Sequence, residues 1–193
     1  METKDFTENI SVNRNFPLQK FLNLPEVPCQ RNTEARLSKA RKYLKHLRPE
    51  HCIVHLVRLT KDCTVAGKLY PKGMTFRNDG NTRAMNWEKQ GSDFLPEKLV
   101  AITYDYEDLE DYQERVEVQL DDMPIPIMGY IDFRFKNKIV DLKTTTRMPS
   151  QPTEAQKRQM AFYSMAYPND SVDLFFATPK EHKKMTINKK AFL

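Results

Sequence analysis

Two aspartates and a lysine stand at a spacing that suits phosphodiester chemistry. Asp132 lies in the β-rich run IPIMGYIDFRF, Asp141 and Lys143 lie in the run KIVDLKTTT, and only Lys136 and Asn137 separate the two. Such a pair of runs reads as a β-hairpin with a two-residue loop. Paired residues then have numbers summing to 273, which sets Asp132 opposite Asp141. Directly opposed Cβ atoms are about 4.5–5.5 Å apart, and like charges there repel. A divalent cation is the natural neutraliser; without one, repulsion raises the pKa of at least one carboxyl. Side chains alternate along a strand, so Lys143 shares the face of Asp141 while Leu142 points into the core. On such a patch, carboxylate oxygens and a backbone carbonyl hold Mg2+, the metal activates water and polarises a phosphate, and the ammonium orients the nucleophile or offsets developing charge. Acids and a lysine on a hairpin are also commonly no more than a solvated face.

The elements around these residues have their own signals. Thr153 with Gln156 three residues on forms a capping box that opens the helix EAQKRQMAFYSMAY, closed by Pro168, and SVDLFFAT reads as the last, buried strand. Upstream, YEDLEDYQERVEVQL reads as a short acidic helix leading into a strand, with Val116 and Val118 on one side and Glu117 on the other. CIVHLVRL and KLVAITYDY read as strands, separated by a turn-rich stretch through Gly67, Pro71, Gly73 and Gly80 and a short helical piece around AMNWEKQ. The segment NTEARLSKARKYLKHLRPE reads as a helix with Arg36, Lys39, Arg41, Lys42 and Lys45 on its cationic side. The fold class expected is α/β in the mixed α+β sense. The divisions are an irregular arm over residues 1–32, an N-terminal α/β region over 33–112 and a catalytic core over 113–193.

Hydrophobic residues at 39% and charged residues at 30% describe a globular chain rather than a disordered one. No apolar run approaches the roughly 20 residues of a membrane helix, and the opening METKDFTENISVNRNF lacks the apolar centre of a signal peptide. No membrane partner is expected, and an intracellular protein, cytoplasmic or nucleoid-associated, is. Cys29, Cys52 and Cys63 show no C-x-x-C spacing and read as reduced thiols. The net charge of +5 is unevenly spread: from Asp105 to Asp132 nearly every charge is acidic, and from Arg134 onward cations outnumber acids. That layout suits a cation centre flanked by a surface for a polyanion.

Gly129-Tyr130-Ile131-Asp132, then Asp141-Leu142-Lys143, then Gln159 and Tyr163 four residues apart, resemble the G-h-h-D, D-x-K and Q-x-x-x-Y motifs of RecB-like PD-(D/E)XK nucleases. The resemblance spans about Glu114 to Thr178. It implies a restriction-endonuclease-like core, a central mixed sheet flanked by helices. It also implies Asp132 and Asp141 as metal ligands for Mg2+ or Mn2+, the Leu142 carbonyl as a further ligand and Lys143 as the catalytic lysine. Gln159 and Tyr163 would serve positioning and DNA contact. Glu117 matches the acidic residue that often precedes G-h-h-D, and the resemblance makes it a candidate further ligand. The additional upstream Glu or His of the family is nominated among Glu107, Glu110, Glu114, His46 and His51. An iron–sulfur cluster is not expected, since no cysteine follows the last motif.

Residues 67–95 resemble the ParB and sulfiredoxin-like fold, in which a strand runs into a D-G-x-x-R turn at a helix start, here Asp79 to Arg83. A glycine turn opening a helix offers N–H groups and an arginine to an anion; an ordinary capped turn has the same sequence. The leading expectation is a DNA nuclease, an exonuclease or end-processing enzyme acting on single strands or free ends, with Arg41, Lys42, Lys45 and Arg83 as additional DNA contacts. The rivals are a non-catalytic nucleic-acid-binding protein with a degenerate nuclease fold and a ParB-like nucleotide-dependent regulator. Cleavage of labelled DNA that vanishes in EDTA separates the first from the others.

Overall fold

Near-continuous apolar runs such as IVHLVRL and KLVAITYDY are what strands buried on both faces require, and they form the centre of the first sheet. The computed structural model describes residues 10–28, 52–81, 84, 87, 96–107, 109 and 112–188. The expected basic helix with Arg41, Lys42 and Lys45, as well as Arg83, His46, His51 and Glu110, lies outside the described residues. The chain divides into two units, Met1–Glu110 and Asp111–Leu193. It is mixed α+β and mostly sheet. No described helix is long and apolar enough to cross a membrane.

The first unit holds β1 (Ile10–Pro17), α1 (Leu18–Leu22), β2 (Ile53–Leu59), β3 (Cys63–Val65), β4 (Lys68–Tyr70), β5 (Thr75–Asp79) and β6 (Lys98–Tyr106). Its sheet has the order β1-β6-β2-β5, with β2 and β6 parallel and the outer strands antiparallel. Phe16, Phe21, Val54, Leu56, Ala84, Trp87, Leu99 and Ala101 form its core cluster. Within the arm expected over residues 1–32, the described residues 10–28 are not irregular, because Phe16 and Phe21 are buried and β1 pairs along β6. The turn-rich stretch also hides the β3–β4 hairpin, whose loop residues Ala66 and Gly67 both have positive φ, as such two-residue turns demand. β5 ends at Asp79, Gly80 takes a φ of 100°, and Asn81 begins a helix in which the Ala84 N–H donates to the Gly80 carbonyl.

The second unit holds β7 (Arg115–Val118), β8 (Ile127–Tyr130), β9 (Phe133–Phe135), β10 (Lys138–Thr144), α2 (Glu154–Ala166), β11 (Ser171–Ala177) and β12 (His182–Thr186). The sheet order is β12-β11-β10-β9; β10 and β11 are parallel and joined through α2, and β9 and β12 are antiparallel to their neighbours. β7 and β8 make a separate ribbon. The Thr153–Gln156 capping box opens α2 as its sequence demands. Val116, Ile131, Ile139, Met160, Tyr163, Val172, Leu174 and Phe176 pack into one cluster beneath the helix. Two expectations need correction. Tyr112 and Gln113 form a turn, Gln113 with a φ of 56°, and no acidic helix precedes β7 among the described residues. SVDLFFAT is not the last strand either: the basic segment at His182–Thr186 forms an edge strand that pairs along β11.

Candidate active site

The hairpin register follows directly from its loop. Lys138 pairs with Phe135, Ile139 with Arg134 and Val140 with Phe133, each pair summing to 273, and Asn137 at φ 61° closes the turn. The ladder stops there. Asp132 sits at a bend just beyond it, and its Oδ2 accepts a hydrogen bond from the Leu142 N–H at 2.9 Å. The Asp132 carboxylate thus takes the place of a ladder partner and is held against the Asp141–Leu142 peptide. Because the N–H and C=O of one strand residue point the same way, the Leu142 carbonyl also turns toward the side where β9 has ended.

Ile139, Asp141 and Lys143 alternate onto the face covered by α2, since Ile139 packs in the cluster with Met160 and Tyr163. Asp141 is therefore the buried one, 2% exposed. Leu142, expected to point into the core, is half-buried on the other face. Lys143 Nζ lies 2.5 Å from Asp141 Oδ2. Beyond this contact with the ammonium, that buried oxygen has no hydrogen-bond partner among the described residues. Burial pushes the Asp141 carboxyl above its ordinary range, while the ammonium beside it pulls back the other way. The expected cause, repulsion from Asp132, is not what raises it; removal from water is.

A directed chain of hydrogen bonds starts at the lysine. Lys143 Nζ donates to Gln159 Oε1 at 3.1 Å, Gln159 Nε2 donates to the Tyr163 hydroxyl at 3.0 Å, and that hydroxyl donates to the Tyr130 carbonyl at 2.6 Å. An ammonium has no acceptor. Gln159 must therefore present its oxygen to Lys143 and its NH2 to Tyr163, whose proton is left for Tyr130. Gln159 and Tyr163, expected to serve positioning and DNA contact, both take part in this internal chain, Gln159 half-buried and Tyr163 buried.

Gly129 allows the chain to close. It pairs with Val116, and a Cβ there would meet Phe162 Cε1 at 2.5 Å and Tyr163 Cε1 at 3.2 Å. The motif glycine is thus a packing requirement between β8 and α2, detectable in sequence only as a glycine inside an apolar strand.

Within the second unit, Glu114 and Glu117 are not grouped with Asp132 and Asp141. Glu117 alternates with buried Val116, leaves its side chain 46% exposed and is ion-paired to Arg115. Glu107 pairs with Lys61 at 3.7 Å. Glu114 accepts a hydrogen bond from the Tyr167 hydroxyl and faces Arg134 Nη1 at 3.5 Å. Arg134 also donates to Asp170 at 3.0 Å and stacks over Tyr167, with Cζ 3.7 Å from the ring centroid. Sequence reading missed this network, whose members lie on three separate segments. Burial and the Glu114 acceptor push the Tyr167 phenol up to about 12.

Among the described residues no three or more His, Cys, Asp or Glu side chains form one group. The donor set is two carboxylates and the Leu142 carbonyl. It fits a hard cation that keeps several waters, and Asp141 Oδ2, buried with no hydrogen-bond partner beyond the Lys143 ammonium among the described residues, is the atom such a cation would share.

Comparison with protein-family models gives no match, and comparison with curated proteins gives none. A solved structure described as "Crystal structure of SSO0001" is similar at 21% identity with a TM-score of 0.35, over 40% of this chain and 41% of that one. At that score the likeness carries no argument.

Proposed function

We propose that the chain is a divalent-metal-dependent DNA nuclease of the PD-(D/E)XK type, an exonuclease or end-processing enzyme built on a restriction-endonuclease-like core. The observation that carries this reading is the Asp132–Leu142 hydrogen bond, which brings one carboxylate to the peptide of a second, buried one with Lys143 beside it. The mixed sheet, with α2 connecting its parallel strands β10 and β11, supports reading the second unit as such a core.

Mg2+ or Mn2+, when bound, would lower the pKa of a water and polarise the scissile phosphate. Asp132 and Asp141 would hold it, with the Leu142 carbonyl. The buried position of Asp141 keeps solvent from competing for its oxygen, and the low local dielectric strengthens its attraction for a cation. Lys143, steadied by Gln159, presents its ammonium at the rim of the site, where it can orient a nucleophile or offset charge on a phosphate oxygen.

The test is digestion of labelled single- and double-stranded DNA with Mg2+ or Mn2+, and with EDTA. Cleavage should require metal, disappear in Asp141→Asn and fall by orders of magnitude in Lys143→Ala. Metal-independent retention of DNA without cutting would instead support a non-catalytic nucleic-acid-binding protein. One observation favours that rival: Glu107, Glu114 and Glu117 are each engaged with other side chains.

A further inference from the structure

We propose that the phosphate-binding edge of this site extends across the sheet to β12, where Lys183 is a second cation on the path of one nucleic-acid strand. The proposal rests on the nuclease reading and adds the direction in which the substrate lies. Lys143 is in register with Phe176, and Phe176 is in register with Lys183. Directly registered residues project from the same face, so the two lysines flank buried Phe176 in one row on the α2 side. The neighbouring row is Asp141, Leu174 and Met185. Carboxylate chemistry thus occupies one row and ammonium chemistry the next, at the end where parallel β10 and β11 finish. Ligands of open α/β sheets bind beyond the carboxyl ends of such strands.

Two strand spacings of about 4.8 Å put Lys143 and Lys183 about 10 Å apart, within reach of neighbouring phosphates of one strand. Lys183 is exposed and, among the described residues, has no ion-pair partner. Lys180 and Arg147 are exposed at the same end. Thr145 Oγ1 donates to the Arg147 carbonyl at 3.0 Å and the Thr178 hydroxyl accepts from the Glu181 N–H at 2.9 Å, which pins both loops. The acids here are Glu181, exposed on that turn, and Glu154, held by Lys157 at 2.8 Å. Lysines on edge strands also guard against sheet-to-sheet pairing, but that role is indifferent to the row a lysine occupies.

Binding of a fluorescein-labelled oligothymidylate, measured by anisotropy in EDTA over a KCl series, separates the two roles without cleavage. Lys183→Ala should reduce the salt slope by about 0.7 units, the share of one single-strand phosphate contact. Lys183→Glu should reduce it further, and Lys183→Arg should restore it. Lys136→Ala, at the loop on the opposite end of β10, removes the same charge and should leave the slope unchanged. Equal losses in Lys136→Ala and Lys183→Ala, an unchanged slope in Lys183→Ala and Lys183→Glu, or no wild-type binding at low salt each overturn the proposal. Wild-type cleavage with Mg2+ is read separately. Binding that depends on Lys183 without cleavage rejects the nuclease reading and keeps the edge, whereas cleavage with an indifferent Lys183 does the reverse.

Discussion

Replacing Gly129 with alanine should loosen the second unit, and the structure supplies the size of the effect. The added Cβ would stand 2.5 Å from Phe162 Cε1, 3.2 Å from Tyr163 Cε1 and 3.3 Å from Phe162 Cδ1. Carbon atoms pack best at about 3.5–4.0 Å, so the first contact is short by roughly an ångström. Gly129 is not among the positive-φ glycines, and the whole penalty is steric. Overpacking of this kind costs about 1–3 kcal/mol, set against the roughly 0.5–1 kcal/mol that alanine gains over glycine in a strand. A net loss of about 1–2 kcal/mol corresponds to a melting temperature lowered by roughly 4–16 °C for a unit of this size. Calorimetry is the assay, because the single tryptophan, Trp87, lies in the other unit. Phe162→Leu removes the offending ring edge, so the double variant should lose much less than the two single losses together. A Gly129→Ala protein as stable as wild type, or strictly additive losses, would refute the packing argument.

Three further outcomes follow from the site and its neighbour. Burial holds the Asp141 carboxyl above its ordinary range; the unfolded chain therefore ionises first, and metal-free stability declines as pH rises from about 4 through the folded value. In EDTA the urea midpoint of Asp141→Asn should gain on wild type over that interval, and a difference that shrinks with pH would show that Lys143 outweighs desolvation. Tyr163→Phe removes the hydrogen bonds to Tyr130 and Gln159 and should cost about 1–3 kcal/mol; an unshifted denaturant midpoint would mean that the chain from Lys143 is broken at Gln159. Tyr167 should give a late step, at about 12, in a phenolate absorbance titration. Its contribution to stability is complete below about pH 10 and lost as pH rises through the folded value, and Tyr167→Phe should abolish that late step.

The local geometry around the site was legible in the chain, because each signal needs only neighbouring residues. A two-residue loop at Lys136–Asn137 dictates the register, alternation puts Lys143 with Asp141, and Thr153 with Gln156 starts α2. Strands with strong apolar runs were equally visible. β1 and β12 were not, since ISVNRNFP and HKKMT lack a dominant apolar pattern and become strands only by pairing with β6 and β11. The tertiary structure alone decided which face of β10 is covered. Helix α2 lies over Ile139 and Asp141, so the carboxylate is desolvated and the leucine next to it is left half-buried. It likewise decided that Gln159 and Tyr163 turn inward to Lys143 and Tyr130, and that Glu114 is taken by Arg134 and Tyr167. Alternation says that two residues share a face, but desolvation and hydrogen-bond partners depend on what packs against that face, and those groups come from segments distant in sequence.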